Sequence, residues 1–175
     1  MECWTTPETT FQGRIFRVVA GGVALNDGTP AYREVVEHPG GVCVLPYNNG
    51  EVTLVRQFRI AVGEYVLEAP AGKLEPGDTP QNRARRELEE ETGLYGADWV
   101  DLGIIFGTVG FCSERIHLFL ALNAQQGHAR PESEERIEVV RIPLDEALGL
   151  ARDGSLRDSK TLVLLMKLND HVRHL

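Results

Sequence analysis

Arg86-Glu87-Leu88-Glu89-Glu90-Glu91-Thr92-Gly93-Leu94 is the stretch on which the reading of this chain turns. Its limits are legible. Thr79 is a good N-cap, and Pro80 suits the first helical position, where a missing N–H leaves nothing unsatisfied. Gly93 stands where a left-handed C-terminal cap belongs. The spacing predicts a helix of about three to four turns between them. Ala84 and Leu88 lie one turn apart and can face a core. Glu87 and Glu91 also lie one turn apart with Glu90 beside them, so three carboxylates share one side.

That arrangement opposes the helix. Like charges one turn apart cost a few tenths of a kcal/mol per pair, and acids in a last turn oppose the macrodipole by about 0.3–1 kcal/mol each. A bare Glu-Glu-Glu is ordinarily a solvated helix face, and Arg83, Arg85 and Arg86 can offset part of the repulsion. The lead-in argues for chemistry instead. Gly72 and the turn Glu75-Pro76-Gly77-Asp78 make a compact loop able to bring backbone oxygens beside the carboxylates. Mg²⁺ and Mn²⁺ are hard cations that prefer such oxygens, and a bound cation would remove both penalties.

Gly72, Asp78, Arg86, Glu87, Leu88, Glu90, Glu91, Gly93 and Leu94 fall at the spacings of the Nudix box. The box reads Gly, five residues, Glu, seven residues, Arg-Glu, an aliphatic, any residue, Glu-Glu, any residue, Gly, an aliphatic. On these residues the chain is identified as a member of the Nudix hydrolases. One position departs from the pattern: Asp78 stands where the family has Glu, which keeps the charge on a shorter arm.

The remainder of the chain is compatible with that identification. Its 175 residues suffice for one domain with a substantial core, and 42% hydrophobic with 25% charged residues is an ordinary globular composition. A net charge of −8 and the lack of a basic block argue against duplex nucleic acid as a partner. Cys3, Cys43 and Cys112 have no metal-binding spacing and are odd in number, which suggests free thiols in a reducing cytoplasm. Met1 to Thr5 has no basic region or apolar run and is not expected to begin a signal peptide, and no apolar run reaches the length a membrane span needs.

Along the chain, Phe11–Leu25 and Ala31–Glu37 read as a strand pair joined at Asn26-Asp27-Gly28, with a break in the first at Gly21-Gly22. Residues 1–39 form an N-terminal strand lobe on this reading, and 40–175 the hydrolase domain. Gly41–Pro46 and Val52–Val55 form a second hairpin about Asn48-Asn49-Gly50. Further strands are expected at Tyr65–Glu68, Trp99–Phe106, Ile116–Leu122 and Glu138–Ile142. Helices are expected at Leu144–Arg152 and Asp158–Arg173, and a polar loop over Gln125–Glu135. The fold class is α+β, an α/β/α sandwich with a mixed sheet plus the strand lobe.

Within the family the order of features resembles the ADP-ribose pyrophosphatase branch, which cleaves nucleoside diphosphate sugars. Val55-Arg56-Gln57-Phe58-Arg59, Leu67–Gly77, Gly110–His117 and Asp158-Ser159-Lys160-Thr161 carry the likeness. That branch usually has Ser-Pro-Gly after the box, whereas Thr108-Val109-Gly110 stands here, so GDP-mannose and related sugars stay open as substrates. The resemblance implies hydrolysis of the diphosphate to a nucleoside monophosphate and a sugar phosphate. It implies two or three Mg²⁺ or Mn²⁺ ions on Glu87, Glu90, Glu91 and the Ala71 carbonyl. Arg59 and Arg56 would bind phosphate or nucleotide, Glu114 would accept hydrogen bonds from sugar hydroxyls, and Gly110 would lie beside the substrate. Arg86 would pair with a box carboxylate. The general base would come from the loop before Ile137-Glu138-Val139, at Glu135 first and Glu134 second, with Glu132 a further candidate. Relatives pair through their N-terminal strands, which implies a homodimer. The competing readings are a nucleoside triphosphate pyrophosphatase, and a catalytically inactive nucleotide-binding regulator that would be expected to lack box acids.

Overall fold

A computed structural model describes residues 1–130 and 136–173. The chain divides into two compact units. One comprises 1–40 with 106–115; the other comprises 41–105 with 116–175.

The first unit is a three-stranded antiparallel sheet, β1 (Cys3–Gln12), β2 (Arg17–Ala24) and β3 (Pro30–Glu37), in that order. The sequence reading has two strands here, and it places the break in the wrong glycines. The chain turns at Gly13, whose N–H donates to the Phe16 carbonyl at 2.9 Å. Gly21-Gly22 lie inside β2, where a Cβ on Gly21 would come within 2.0 Å of the Thr6 carbonyl oxygen on β1. Those glycines let two backbones approach rather than ending a strand. The 106–115 segment is stitched to β3: Val36 N–H donates to Phe111 O at 2.7 Å, and Ser113 N–H to Val36 O at 2.9 Å.

The second unit is built on a mixed sheet. Its strands are β4 (Gly41–Asn48), β5 (Glu51–Arg59), β6 (Glu64–Glu68), β7 (Ala71–Lys73), β9 (Asp98–Phe106, its last residue belonging to the first unit), β10 (Arg115–Leu122, its first residue likewise) and β12 (Glu138–Pro143). The order is β12-β5-β4-β10-β9, with β6 also on β5 and β7 on β4. β4 and β10 run parallel, Ile116 opposite Gly41, while β4–β5, β5–β6, β4–β7 and β5–β12 are antiparallel. Asn49 and Gly50, with φ of 48° and 87°, supply the two left-handed residues of a tight hairpin turn. The expected loop from Gln125 contains a short strand, β11 (Gln125–Gln126), paired with β8 (Leu94–Tyr95) just past the box helix.

Alternation along the two central strands makes the sandwich. Val42, Val44, Phe119 and Ala121 face α1 (Pro80–Thr92) and pack on Ala84 and Leu88. Cys43, Leu45, Leu118 and Leu120 point the other way, onto Ala147 of α2 (Leu144–Asp153) and Leu164, Leu165 and Leu168 of α3 (Ser159–Arg173). Each central strand is therefore apolar on both faces, as a sheet covered on both sides requires. This is the α/β/α arrangement expected from the sequence. Among the described residues, no helix is long and apolar enough to cross a membrane.

Candidate active site

The box helix α1 begins and ends at the caps its sequence prescribes. Thr79 is extended and its hydroxyl oxygen accepts from Asn82 N–H at 3.3 Å; Gly93 is left-handed at φ 74° and its N–H donates to Glu89 O at 2.9 Å. Packing Ala84 and Leu88 on the sheet carries the neighbouring residues inward with them. Glu87 and Glu91 are 4% and 2% exposed, and Glu90 is half-buried. Solvation therefore does not explain the acidic cluster: two carboxylates of one sign, a turn apart, are held out of water.

The surroundings of each acid are specific. Glu87 lies flat against Gly72, where an added Cβ would fall 1.6 Å from its Oε1. The box glycine is thus required by a carboxylate rather than by its own backbone angles. Arg83, one turn earlier and 7% exposed, pairs through Nη2 with Glu87 Oε1 and lies 3.7 Å through Nη1 from Glu75 Oε2. Burial works against the Arg83 charge, but Glu87 and then Glu75 outweigh it and hold its pKa above the ordinary arginine value. Glu91 Oε2 accepts from Ala71 N–H at 3.2 Å, which draws β7 to the helix.

Arg86 pairs with Asp78, the acid at the position where the family has Glu, and Glu87 on the helix pairs with Arg83. Asp78 also closes its turn: its Oδ2 accepts from Glu75 N–H at 3.1 Å, and its N–H donates to Glu75 O at 3.0 Å. The shorter acid at this position holds both Arg86 and the lead-in loop. Of the three arginines able to offset the acidic repulsion, Arg83 is the one that reaches Glu87, at the spacing of a helical ion pair.

A second polar cluster lies beneath β6 and β7. Buried Glu68 accepts from Arg59 Nε at 2.7 Å and lies 3.6 Å from Lys160 Nζ. Asp158 caps α3, taking Thr161 N–H at 3.0 Å, its hydroxyl at 2.6 Å and Lys160 Nζ at 2.5 Å. The Thr161 hydroxyl oxygen accepts from Ala69 N–H at 2.7 Å. Burial lowers the Arg59 charge's comfort most, yet Glu68, then Glu91 and Asp158, hold its pKa above the ordinary value. Arg59 therefore feels Glu91 as well as its hydrogen-bonded partner. Arg56 has other neighbours: Glu138 Oε2 at 3.9 Å, and the Tyr65 ring at 5.6 Å.

Glu114 and Gly110 belong to the first unit. Glu114 Oε1 lies 3.5 Å from His38 Nδ1, but that nitrogen already accepts from Gly40 N–H at 3.0 Å, so the two side chains share no hydrogen bond. A Cβ on Gly110 would meet nothing within 4 Å. Glu132, Glu134 and Glu135 lie outside the described residues. The segment leading to them is pinned to the end of the box helix. Gly127 N–H donates to Gly93 O at 2.8 Å, and Arg130 N–H to Glu90 O at 2.8 Å.

Among the described residues, no three His, Cys, Asp or Glu side chains converge closely enough to hold a metal. The donors themselves fit a hard divalent cation. They are all oxygen, two are buried carboxylates on one helix face, and Gly72 leaves the space in which Glu87 rests.

The chain belongs to the Nudix family: the NUDIX domain model matches residues 37–165. It is 36% identical over 173 residues to the methanol dehydrogenase activator of Bacillus methanolicus, covering 95% of this chain and 93% of that protein. It is 35% identical over 164 residues to the ADP-ribose pyrophosphatase of Bacillus subtilis (strain 168), covering 92% and 89%. It is also 35% identical over 154 residues to the GDP-mannose pyrophosphatase of Salmonella arizonae, covering 82% and 79%. The crystal structure of an ADP compounds hydrolase superposes with a TM-score of 0.86 at 20% identity, over 99% of this chain and 95% of that one, and shares the fold.

Proposed function

We propose that the protein is a Nudix pyrophosphohydrolase that splits the diphosphate of a nucleoside diphosphate sugar, ADP-ribose before others, into a nucleoside monophosphate and a sugar phosphate. The observation that carries this is the burial of Glu87 and Glu91 on one face of α1, the second of them acting electrostatically on Arg59. A diphosphate presents negative oxygens that repel an incoming water. Mg²⁺ or Mn²⁺, two or three per site on Glu87, Glu90, Glu91 and the Ala71 carbonyl, would neutralise those oxygens and polarise the water. Arg59 binds phosphate through the guanidinium edge that Glu68 leaves free, and Arg56 contributes a second cation. Arg86 holds the lead-in loop through Asp78. Glu135, or Glu134 beside it, takes the proton of the attacking water; the anchoring of Arg130 on Glu90 supports a base from this segment. Glu114 accepts from the sugar hydroxyls, and Gly110 leaves room beside it.

The names of the Bacillus subtilis and Salmonella relatives support this substrate class. GDP-mannose is the second reading, favoured by Val109 where ADP-ribose enzymes of the branch carry proline. Residues 1–39 serve as a dimerisation lobe. All ten residues of β1 are exposed, and Phe11, Ile15 and Phe16 are 52%, 49% and 39% exposed, more apolar surface than a lone sheet keeps in water. Three free cysteines suit a cytoplasmic setting.

The test is a panel of ADP-ribose, GDP-mannose, UDP-glucose and deoxynucleoside triphosphates, each with Mg²⁺ and with a chelator, read by product chromatography. Metal-dependent release of a nucleoside monophosphate from one of the sugars is expected. Turnover of the triphosphates alone, or of nothing, would refute the assignment.

A further inference from the structure

We propose that Arg83 is a built-in counter-cation for the metal site, holding Glu87 when the site is unloaded and releasing it toward the metal as Glu75 takes the guanidinium. The inference rests on the metal-dependent reading above. Glu87 is buried beside Glu90 and Glu91, and a buried acid among acids is unfavourable unless something positive is near. Arg83 is that positive group. It is on the same buried face of α1, one turn before Glu87, and paired with its Oε1.

Two details make the pairing exchangeable rather than fixed. The guanidinium already stands 3.7 Å from Glu75 Oε2, so a short movement transfers it to a half-exposed acid of the lead-in loop. Its Nε is buried and has no hydrogen-bond partner among the described residues, so the planar group is anchored on one side only. A divalent cation on Glu87 would compete for the same oxygens and repel the guanidinium. Gly72, with no Cβ, leaves the space that the Glu87 carboxylate fills, so the acid keeps its place while the guanidinium moves. Arg83 is thus a positioning residue, and its charge sets the affinity of the metal while keeping the metal-free protein folded.

The experiment measures Mn²⁺ affinity by titration calorimetry, and thermal unfolding with and without Mn²⁺, for wild type, Arg83→Met and Arg83→Lys. Removing the charge should tighten Mn²⁺ by about tenfold or more, because like charges no longer meet in a poorly solvated site. It should also lower the metal-free melting temperature and enlarge the rise that Mn²⁺ produces. Arg83→Lys should stay near wild type in affinity. A Met variant that folds only with Mn²⁺ supports the proposal. Unchanged or weaker Mn²⁺ binding in a folded Met variant overturns it, with the metal-dependent reading intact. Wild type that binds no Mn²⁺ overturns both. Should the Met variant fold under neither condition, the ¹⁵Nε resonance of Arg83 in wild type decides, assigned by its loss in Arg83→Lys. Movement on Mg²⁺ saturation supports the exchange, and an unmoved signal refutes it.

Discussion

Gly72→Ala isolates the contact on which the site is assembled. Gly72 is not among the left-handed glycines, so alanine meets no backbone penalty there. The new methyl would sit 1.6 Å from Glu87 Oε1, 2.1 Å from Cδ and 2.8 Å from Cγ. Restoring ordinary contact requires the carboxylate to retreat by about 1.8 Å. It cannot retreat freely, because it is buried and paired with Arg83. Overpacking of this kind costs about 1–3 kcal/mol. Complete loss of the buried ion pair would raise this toward about 3–5 kcal/mol. For a chain of this size the lower range corresponds to a melting temperature roughly 2–12 °C below wild type. Misplacing a catalytic group by more than an ångström should cost on the order of 10²-fold in turnover. The decisive assay is a double-mutant cycle in thermal unfolding, with Glu87→Ala as the second substitution. Without the Glu87 side chain there is nothing for the methyl to strike, so Gly72→Ala should be nearly neutral in that background. Equal destabilisation in both backgrounds would refute the cradle.

Other consequences are open to measurement. In Glu132→Gln, Glu134→Gln and Glu135→Gln at saturating substrate and Mg²⁺, loss of the base should reduce turnover by about 10²–10⁴-fold with little change in KM; three near-normal variants would move the role to Glu114. Light scattering should give the mass of a symmetric pair, and removal of residues 1–39 should yield a monomer or an unstable product; a wild-type mass of one chain would sink the dimer. Burial pushes the Cys43 thiol far above its usual range, against the pull of Lys160. A thiol reagent should therefore label exposed Cys3 in the native protein and Cys43 only after unfolding. Rapid native labelling of Cys43 would contradict the packing around α3.

The sequence marks the box helix clearly because its signals are local: Thr79, Pro80 and Gly93 lie within a few residues of the bonds they make or leave out. The sandwich is legible for a related reason, since unbroken apolar runs at Val42–Leu45 and Leu118–Ala121 demand cover on both faces. β1 is not legible. Cys3–Gln12 is wholly exposed, contains Pro7 and carries its large apolar residues Trp4 and Phe11 on opposite faces, so its extended form comes from pairing with β2 and leaves no hydrophobic alternation to find. The sequence offers Arg83, Arg85 and Arg86 alike as counter-charges, and only the packing of Ala84 and Leu88 decides which of them turns inward. Glu68 and Lys160 meet across 92 residues, a separation no periodicity encodes.

The bond from Ala69 N–H to the Thr161 hydroxyl also dictates an order of events at birth. Strand β7, which carries the partner of Glu91, begins two residues after Ala69. At roughly 5–20 residues per second, several seconds pass between the emergence of Ala69 and that of Thr161 from the ribosome. During that interval the box helix can coil, but the floor beneath its acids has no α3 to rest on and β4 lacks its parallel neighbour β10 for most of the time. The nascent chain therefore carries its charge-crowded box before α3 is made, and a polypeptide cut short before residue 161 would hold every residue of the Nudix box without the hydroxyl that takes the Ala69 N–H.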